Sequence, residues 1–341
     1  MKKTKVAING FGRIGRAFLK IARTRKELEI VAINDLGDLE NIAYLLKYDS
    51  VYGPADFSVE VKEGVLVVDS IEIPFLSVRE PSELPWKSMD VDIALEATGV
   101  FASYEKAKVH LDAGAKRVVV TAPVKDNPEN AGVVGATVLM GVNEEALKSC
   151  QISSNGSCTT NAGSPVVQIL HEAIGIERAI LNTVHGYTSS QSIVDGPNKD
   201  MRKGRAAAQN IVPTTTGAAI AVTKAVKDLE GKFDGVAMRV PVAVGSLADI
   251  TFVAKRETSV EEVNAALTKA ADDARWKKVF SVTNDPIVSS DIIGSPYASI
   301  ADLGFTKVVD GTLVKVLAWY DNEMGYTHAL VEHVIASGKH I

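Results

Sequence analysis

The segment that most constrains the fold lies near the amino terminus, where a β-branched run, a glycine-rich turn and a helical pattern follow one another. Lys5 to Ile8 in "KVAING" predict a strand, "FGRIGRAFLKIARTR" predicts a helix, and "EIVAIND" predicts a second strand. Connections this short between strand, helix and strand require a parallel βαβ unit. The segment therefore predicts a parallel sheet covered by helices.

The turn of this unit carries the spacing G-x-G-x-x-G at Gly10, Gly12 and Gly15. The first glycine allows a tight turn, the second lets the backbone approach a pyrophosphate, and the third lets helix pack closely on strand. Asp35 ends the next strand, where a carboxylate accepts from ribose hydroxyls and repels a 2′-phosphate. The pattern predicts NAD binding in preference to NADP; the alternative is a glycine-rich turn followed by a helix-capping Asp.

The rest of the first half repeats the same alternation in "DIALEATG", "SYEKAKVHLDAGA" and "RVVVTAP". Between the repeats, "VYGPADFSVEVKEGVLVVDSIEIPFL" alternates apolar and polar residues and predicts antiparallel strands at the sheet edge. Later stretches such as "VAMRVPVAVGSLADITFVAKR" predict longer strands with helices packed on one face. The expected class is α/β: a Rossmann-type parallel-sheet domain plus an α+β catalytic domain with a mixed or antiparallel sheet.

Composition limits the possible partners. The net charge of -5 gives no general attraction to phosphate backbones or anionic membranes, so nucleic acid is not expected as the main partner. No apolar run approaches the roughly 20 residues that span a bilayer, so no membrane partner is expected. Two cysteines in 341 residues do not make a disulfide framework, which fits a cytoplasmic protein, and no ligand set for a metal is evident.

One of the two cysteines, Cys158, stands among small polar residues in "SSNGSCTTNAGSP", directly before a helical stripe. Pro165 is expected near a helix start, which places Cys158 at or just before the helix N-terminus. Free N–H groups and the helix dipole would there lower the pKa of the thiol and raise its reactivity. The alternative is a small buried hydrophobe, which is how we interpret Cys150.

A nucleophilic cysteine needs a base, and His185 is the candidate among six histidines. In "LNTVHGYT" it ends an apolar run and is followed by a glycine and hydroxyl residues, a strand-end setting suited to a site. The competing interpretation is a core histidine with satisfied hydrogen bonds.

The segments "NGFGRIGR", "SNGSCTTN", "TVHGYT", "VDGPNKDMRKGRAAAQNIVPTTTGAA", "RVP" and "WYDNEMGY" occur in an order and spacing that resemble the phosphorylating glyceraldehyde-3-phosphate dehydrogenase family. The resemblance covers essentially the whole chain. It implies a homotetramer in which Cys158 attacks the aldehyde of glyceraldehyde 3-phosphate and His185 takes the proton. Hydride would pass to NAD, and inorganic phosphate would attack the resulting thioester to release 1,3-bisphosphoglycerate.

The resemblance also implies roles for residues that match the family's motifs. The cofactor would contact Asn9, Gly10, Phe11, Gly12, Arg13, Ile14, Asp35, Arg79, Thr98, Gly99, Thr121 and Asn322. The substrate phosphate would bind Thr188 and Arg239, and inorganic phosphate would bind Ser157, Thr159, Thr216 and Gly217, with Arg205 between the two sites. The implied domains are residues 1–157, completed by a C-terminal helix at 323–341, for NAD binding and residues 158–322 for catalysis.

Some positions depart from the family pattern. Ala162 stands where a second cysteine is common, and "RVPVAVGSLADITF" replaces a more polar strand beside the substrate-phosphate site. We expect the latter to affect substrate affinity only. Two alternatives remain: an erythrose-4-phosphate dehydrogenase, which hydrolyses its thioester, and a non-catalytic NAD-binding protein.

Overall fold

The structure is a computed structural model that describes residues 2–341. The chain divides into two compact units. The first comprises Met1–Val138, Glu144–Gly156 and Leu330–Ile341, and the second comprises Leu139–Asn143 and Ser157–Ala329. The chain therefore leaves the first unit for five residues, returns, and crosses again directly before Cys158.

The first unit alternates strands and helices in its amino-terminal part, as "KVAING" and the segments after it predict. Its elements are, in chain order, β1 (Thr4–Asn9), α1 (Arg13–Ala22), β2 (Leu28–Asn34), α2 (Leu39–Lys47), β3 (Tyr48–Asp49), β4 (Gly53–Pro54), β5 (Val59–Lys62), β6 (Val65–Val68), β7 (Ile71–Leu76), β8 (Ile93–Glu96), α3 (Tyr104–Ala107), α4 (Val109–Asp112), β9 (Arg117–Val120), β10 (Gly135–Thr137) and β11 (Ile152–Ser154).

Across residues 2–341, nine strands of this unit form one sheet in the order β10-β11-β9-β8-β1-β2-β7-β6-β5. Every pair from β10 to β7 is parallel, whereas β7, β6 and β5 pair antiparallel. The predicted parallel sheet with antiparallel strands at one edge is confirmed. Val118, Val119 and Val120 of β9 are fully buried, as a strand covered on both faces requires.

The second unit carries longer strands, two of which have 11 residues, together with three α-helices that lie wholly within it. Its elements are α5 (Cys158–Ala173), β12 (Ile176–Gly186), β13 (Val212–Thr215), α6 (Ala218–Ala225), β14 (Phe233–Val240), β15 (Ser246–Ala254), α7 (Val260–Asp272), β16 (Phe280–Thr283), β17 (Ser299–Val309) and β18 (Leu313–Tyr320). The last helix, α8 (Met324–Gly338), counts with this unit up to Ala329 and with the first unit from Leu330.

Within the described residues, the second sheet has the strand order β13-β14-β12-β15-β18-β17-β16. It is mixed: β12 pairs parallel with β14 and antiparallel with β15, and β15, β18 and β17 continue antiparallel. Buried residues alternate with partly exposed ones along β15, because successive side chains point to opposite faces and α5 contacts this strand from one of them. The α/β class with one parallel and one mixed sheet is confirmed.

One premise of the sequence prediction is wrong, although its conclusion holds. Pro165 lies well inside α5 and not near its start, yet Cys158 is the first residue of that helix. A proline at this position withholds one intrahelical hydrogen bond, from the carbonyl four residues earlier, and α5 tolerates the loss within a nearly continuous run of buried residues. In the part of the chain that is described, no helix combines the length and apolar character needed to cross a bilayer.

Candidate active site

The glycine-rich turn between β1 and α1 opens onto a cleft of about 490 Å³ within the first unit. Gly10 has φ +96°, and a Cβ there would lie 2.6 Å from the backbone nitrogen of Thr98, so only glycine fits. Gly12 is the N-cap of α1, with no side chain capping the helix, and a Cβ there would meet nothing within 4 Å. The helix N-terminus thus faces open space, which is the arrangement that binds a pyrophosphate.

Asp35 connects the two turns that border this cleft. Its Oδ2 accepts from the N–H of Phe11 at 2.6 Å, and its Oδ1 accepts from the N–H of Gly37 at 2.8 Å. The carboxylate therefore holds the glycine-rich turn and the turn after β2 while it lines the cleft. Each oxygen retains a lone pair with which to accept from a ribose hydroxyl.

The structure brings part of the predicted cofactor set together. The residues of that set that line the cleft are Asn9, Gly10, Gly12, Asp35, Arg79 and Thr98. Arg13 forms an ion pair with Asp49 at 3.3 Å. Thr121 continues the pairing of β9 with β8 by donating its N–H to the carbonyl of Glu96. Asn322 belongs to the second unit, where its Oδ1 accepts from Ser246 Oγ at 2.9 Å and from the N–H of Gly245 at 3.2 Å.

The start of α5 is fixed by a capping box at Ser157 and Thr160. Ser157 Oγ accepts from the N–H of Thr160 at 3.1 Å, and the N–H of Ser157 donates to Thr160 Oγ1 at 3.3 Å. Because the N–H groups of Ser157 and Thr160 both find hydrogen-bond acceptors within this turn, Cys158 occupies the first helical position in one defined orientation. The predicted position of this cysteine is confirmed.

His185 is the penultimate residue of β12, and its Nε2 lies 3.3 Å from the Sγ of Cys158. Its Nδ1 lies 2.6 Å from the carbonyl oxygen of Gly186, an acceptor. Arg239 Nη1, which can only donate, also lies 3.1 Å from Nδ1, but it donates to the same carbonyl of Gly186, and the carbonyl is the much nearer partner of Nδ1. We therefore assign the proton to Nδ1, which donates to Gly186 and leaves the lone pair of Nε2 facing the thiol. This tautomer is the one that can take a proton from Cys158.

Burial sets the charge state of the pair. Burial and, to a smaller extent, the positive charge of Arg239 together lower the pKa of His185 to about 4. Burial also raises the pKa of the Cys158 thiol, an effect that exceeds the opposite influence of Arg239 and of the N–H groups at the start of α5. The expected lowering of the thiol pKa is therefore wrong: at neutral pH the pair is a thiol beside a neutral imidazole.

Arg239 and Thr188 border the same pair. His185 and Arg239 are register partners on β12 and β14, and the Nη1 of Arg239 lies 3.1 Å from the carbonyl oxygen of Gly186 and 3.2 Å from Thr188 Oγ1. The Nε of Arg239 is buried and has no hydrogen-bond partner among residues 2–341. A guanidinium with a free buried donor beside a hydroxyl is suited to an anion.

The remaining predicted anion residues are placed in several ways. Thr159 is buried, and its hydroxyl is paired with the hydroxyl of Tyr320 at 2.8 Å. Thr216 Oγ1 accepts from the N–H of Ala218 at 3.1 Å, and Gly217 is the N-cap of α6, so these two residues form a helix start. Arg205 Nε donates to Asp195 at 2.8 Å on the surface.

Sequence reasoning missed two residues at these sites. The hydroxyl of Tyr320 is hydrogen-bonded to the hydroxyls of Thr159 and Thr183. Its ring lies edge-on to His185 with 5.9 Å between centroids. Glu96, at the end of β8, bonds to Thr98 and Asn9 beside the cleft. Both stand in the quoted segments "WYDNEMGY" and "DIALEATG", but the family resemblance implies roles only for their neighbours.

Comparison with known proteins gives matches over both parts of the chain. Residues 4–104 match the family model for the NAD binding domain of glyceraldehyde 3-phosphate dehydrogenase, and residues 157–322 match the model for its C-terminal domain. The cleft beside Gly10 and Gly12 lies in the first of these ranges, and the Cys158–His185 pair lies in the second. The cofactor of this family domain is NAD, which agrees with the open N-terminus of α1 and with Asp35.

Several curated relatives are similar over almost their full length. The chain is 50% identical to the glyceraldehyde-3-phosphate dehydrogenase of Thermotoga maritima over 331 residues, covering 96% of this chain and 97% of the relative. It is 46% identical to that of Geobacillus stearothermophilus over 330 residues, with 96% of each covered, and 44% identical to that of Streptomyces coelicolor over 340 residues, with 99% of each covered. The chain belongs to the glyceraldehyde-3-phosphate dehydrogenase family.

Proposed function

We propose that the protein catalyses the NAD-dependent oxidation and phosphorylation of glyceraldehyde 3-phosphate to 1,3-bisphosphoglycerate, a reaction shared by glycolysis and gluconeogenesis. The observation that carries this proposal is the thiol of Cys158, 3.3 Å from the unprotonated nitrogen of a buried neutral His185. A thiol with a base in reach is an activated nucleophile. Arg239 beside it supplies the positive charge that a phosphorylated substrate needs.

In the first step, Cys158 Sγ attacks the aldehyde carbon while His185 Nε2 takes the thiol proton. The proton then moves from Nε2 to the former carbonyl oxygen, which gives a neutral thiohemiacetal. Nδ1 keeps its own proton throughout because it remains bonded to Gly186. His185 therefore works as base and then as acid without rotating its ring.

In the second step, His185 Nε2 removes the hydroxyl proton of the thiohemiacetal. Bound NAD would supply the acceptor for a hydride, and loss of that hydride from the same carbon would leave a thioester on Cys158. An oxygen of inorganic phosphate attacks the thioester carbon, the carbon–sulfur bond breaks, and the imidazolium of His185 returns a proton to the departing thiolate. The net proton released comes from the phosphate.

Two anion sites support a reaction with two phosphates. Thr188 and Arg239 are assigned to the phosphate of the substrate, because they are bonded to each other beside His185. Ser157, Thr159, Thr216, Gly217 and Arg205 are assigned to inorganic phosphate on the family resemblance. The start of α6 at Gly217 adds a helix N-terminus that favours anions.

For the cofactor, the backbone around Gly10 and Gly12 is assigned to the pyrophosphate and Asp35 to the adenosine ribose. Arg79, Thr98, Gly99, Thr121 and Asn322 keep the roles that the family resemblance implies. We assign NAD binding to residues 1–157 with 323–341, and catalysis to residues 158–322.

We also propose a homotetramer that acts in the cytoplasm. The second unit exposes large apolar side chains on its sheet beside a cleft of about 1060 Å³, among them Ile180 and Leu313, exposed by 55% and 43%. Ile193 and Met201 are more exposed still, by 85% and 89%. Large apolar side chains exposed to this extent support contact with further copies of the chain.

The test is NADH absorbance with glyceraldehyde 3-phosphate and NAD, with and without inorganic phosphate, for the wild type and for Cys158→Ser. We expect phosphate-dependent turnover in the wild type. Cys158→Ser should lose turnover by on the order of a thousandfold or more while NAD still binds, because a hydroxyl is a far weaker nucleophile at neutral pH. A serine variant with near wild-type turnover would remove Cys158 from the mechanism.

The comparison of turnover with and without inorganic phosphate separates the alternative functions. Turnover that is indifferent to phosphate would indicate thioester hydrolysis and an erythrose-4-phosphate type of enzyme, which rates on the two aldehydes would then confirm. Complete absence of turnover with retained NAD binding would indicate a binding protein.

A further inference from the structure

Glu96 ends β8 beside the dinucleotide cleft, and its side chain is only 1% exposed. It receives hydrogen bonds on both carboxylate oxygens. Oε1 accepts from the N–H of Thr98 at 2.8 Å and from the hydroxyl of Thr98, and Oε2 accepts from Asn9 Nδ2 at 2.7 Å and bonds to His110 Nε2 at 3.0 Å. Each oxygen of this buried carboxylate therefore accepts two hydrogen bonds.

The orientation of His110 is fixed by Trp86. The indole Nε1 of Trp86 can only donate, and it lies 3.1 Å from His110 Nδ1. Nδ1 must therefore be an acceptor without a proton, so Nε2 carries the proton and donates to Glu96. His110 and Trp86 are both fully buried, which leaves no water to replace either bond.

On the other side of Glu96, the orientation of Asn9 and Asn34 is fixed by the backbone of Val78. Asn9 Oδ1 accepts from Asn34 Nδ2 at 2.8 Å. Asn34 in turn donates to the carbonyl of Val78 at 3.0 Å and accepts from its N–H at 2.9 Å. Neither amide can be turned over without setting donor against donor, because the backbone groups of Val78 cannot exchange roles.

Two chains of donors in this network therefore end on Glu96, one from Trp86 through His110 and the other from Asn34 through Asn9. Three of its branches reach the cleft: Thr98 and Val78 line it, and so does Phe101, whose ring stands edge-on to His110 with 6.3 Å between centroids. An amide nitrogen in place of Oε2 would face the donors of Asn9 and His110, and in place of Oε1 it would face the N–H of Thr98, whose hydroxyl can turn to accept. Either placement sets donor against donor, which a change of conformation in these branches would relieve.

We propose that Glu96 and His110 are positioning residues for the dinucleotide site: they hold Thr98, Val78 and Phe101 in the shape that binds the adenosine part of the cofactor. This inference rests on the proposed NAD-dependent function. It assigns the buried carboxylate no contact with the cofactor and no part in the chemistry.

The first experiment examines the protein without cofactor. The full chain is labelled with 5-fluorotryptophan, whose three resonances from Trp86, Trp276 and Trp319 are assigned by single Trp→Phe variants. In Glu96→Gln we expect the Trp86 resonance to move or broaden while the other two stay in place. The matched control is Asp302→Asn, which removes a buried carboxylate that accepts from Trp319 Nε1 at 3.0 Å in the second unit, and which should move the Trp319 resonance only.

The second experiment measures the Kd of NAD and of ADP-ribose, which lacks the nicotinamide, by titration calorimetry. Glu96→Gln should weaken both ligands equally, by about tenfold or more, and should raise KM for NAD much more than it lowers kcat. Asp302→Asn should leave both Kd values within about twofold of wild type. A purely structural role would instead reduce the binding-competent fraction and kcat at an unchanged Kd.

If Glu96→Gln does not fold, His110→Phe removes the same branch while keeping a ring beside Trp86, and the same two measurements apply. Unchanged Kd values in the folded variants would overturn the proposal, and an unmoved Trp86 resonance would overturn the hydrogen-bond directions behind it. Failure of the proposed function would be recognised separately, because the wild type itself would then not bind NAD.

Discussion

At the scale of single residues, the sequence predicts the functional side chains whose immediate neighbours in the chain indicate their chemistry. Cys158 and His185 were found because their neighbours are unusual for packed positions. The contact of Arg239 with His185 could not be found this way, since it depends on the parallel register of β12 with β14, 54 positions apart in the chain. The pKa of Cys158 was predicted in the wrong direction because burial, which opposes the helix N-terminus, is not visible in a motif.

Asp35 carries a prediction at this scale. Asp35→Ala should raise the affinity for NADP relative to NAD by about tenfold or more, because the carboxylate no longer repels a 2′-phosphate. It should also weaken NAD binding, since the N–H groups of Phe11 and Gly37 lose their acceptor. The measurement is the Kd of both nucleotides for the wild type, Asp35→Ala and Asp35→Asn.

The asparagine variant separates the two effects of Asp35, because it removes the charge and keeps one acceptor oxygen. It should bind NAD more tightly than the alanine variant while showing a similar loss of discrimination. An unchanged NADP constant in both variants would contradict the assignment of Asp35 to the ribose.

At the scale of elements, periodicity and turn residues are sufficient for the parallel strands and for the antiparallel edge. They were insufficient where tertiary packing overrides a local rule. Pro165 lies inside α5 because the helix is buried along nearly its whole length, and this packing outweighs one missing hydrogen bond. The helix expected in "SYEKAKVHLDAGA" forms as two short pieces, α3 and α4, that meet at Lys108.

The two glycines before α1 should differ in what they tolerate. Gly12→Ala should leave the Tm within a few degrees of wild type, since its Cβ meets nothing within 4 Å, yet weaken NAD binding by at least about tenfold because the methyl group enters the space of the pyrophosphate. Gly10→Ala should destabilise the protein itself, because its Cβ would lie 2.6 Å from the backbone of Thr98 at a positive φ.

Calorimetric Tm and NAD titration on both glycine variants check this contrast. A Gly12→Ala protein that binds NAD normally would show that the pyrophosphate does not approach this turn.

At the scale of the whole molecule, stability should depend on pH through two buried histidines, one in each unit. Burial lowers the pKa of His185 and of His333 to about 4, from 6.5 for an exposed histidine. Below pH 6.5 these histidines bind protons in the unfolded chain but not in the folded protein. The free energy of unfolding therefore has its full value above that pH and falls as the pH drops toward 4. At about 1.4 kcal/mol per unit of pKa, each histidine accounts for a loss of about 3 kcal/mol.

Differential scanning calorimetry between pH 7.5 and 4.5 measures this decline. His333→Gln, which removes a ring bonded to Ser153 and Asn155, should lower the Tm at neutral pH and make its dependence on pH shallower. A variant with the same slope as the wild type would show that His333 does not titrate in this range.

The division of the chain into two units has a consequence for its synthesis on the ribosome. The second unit has all of its residues once Ala329 has been added, whereas the first still lacks Leu330–Ile341. These last residues include Glu332, which pairs with Arg25 at 2.6 Å, and His340, whose carbonyl accepts from Arg117 at 2.8 Å. The unit whose first strand is translated earliest is therefore completed after the other unit, because its contacts with Leu330–Ile341 form only once those residues have been synthesised.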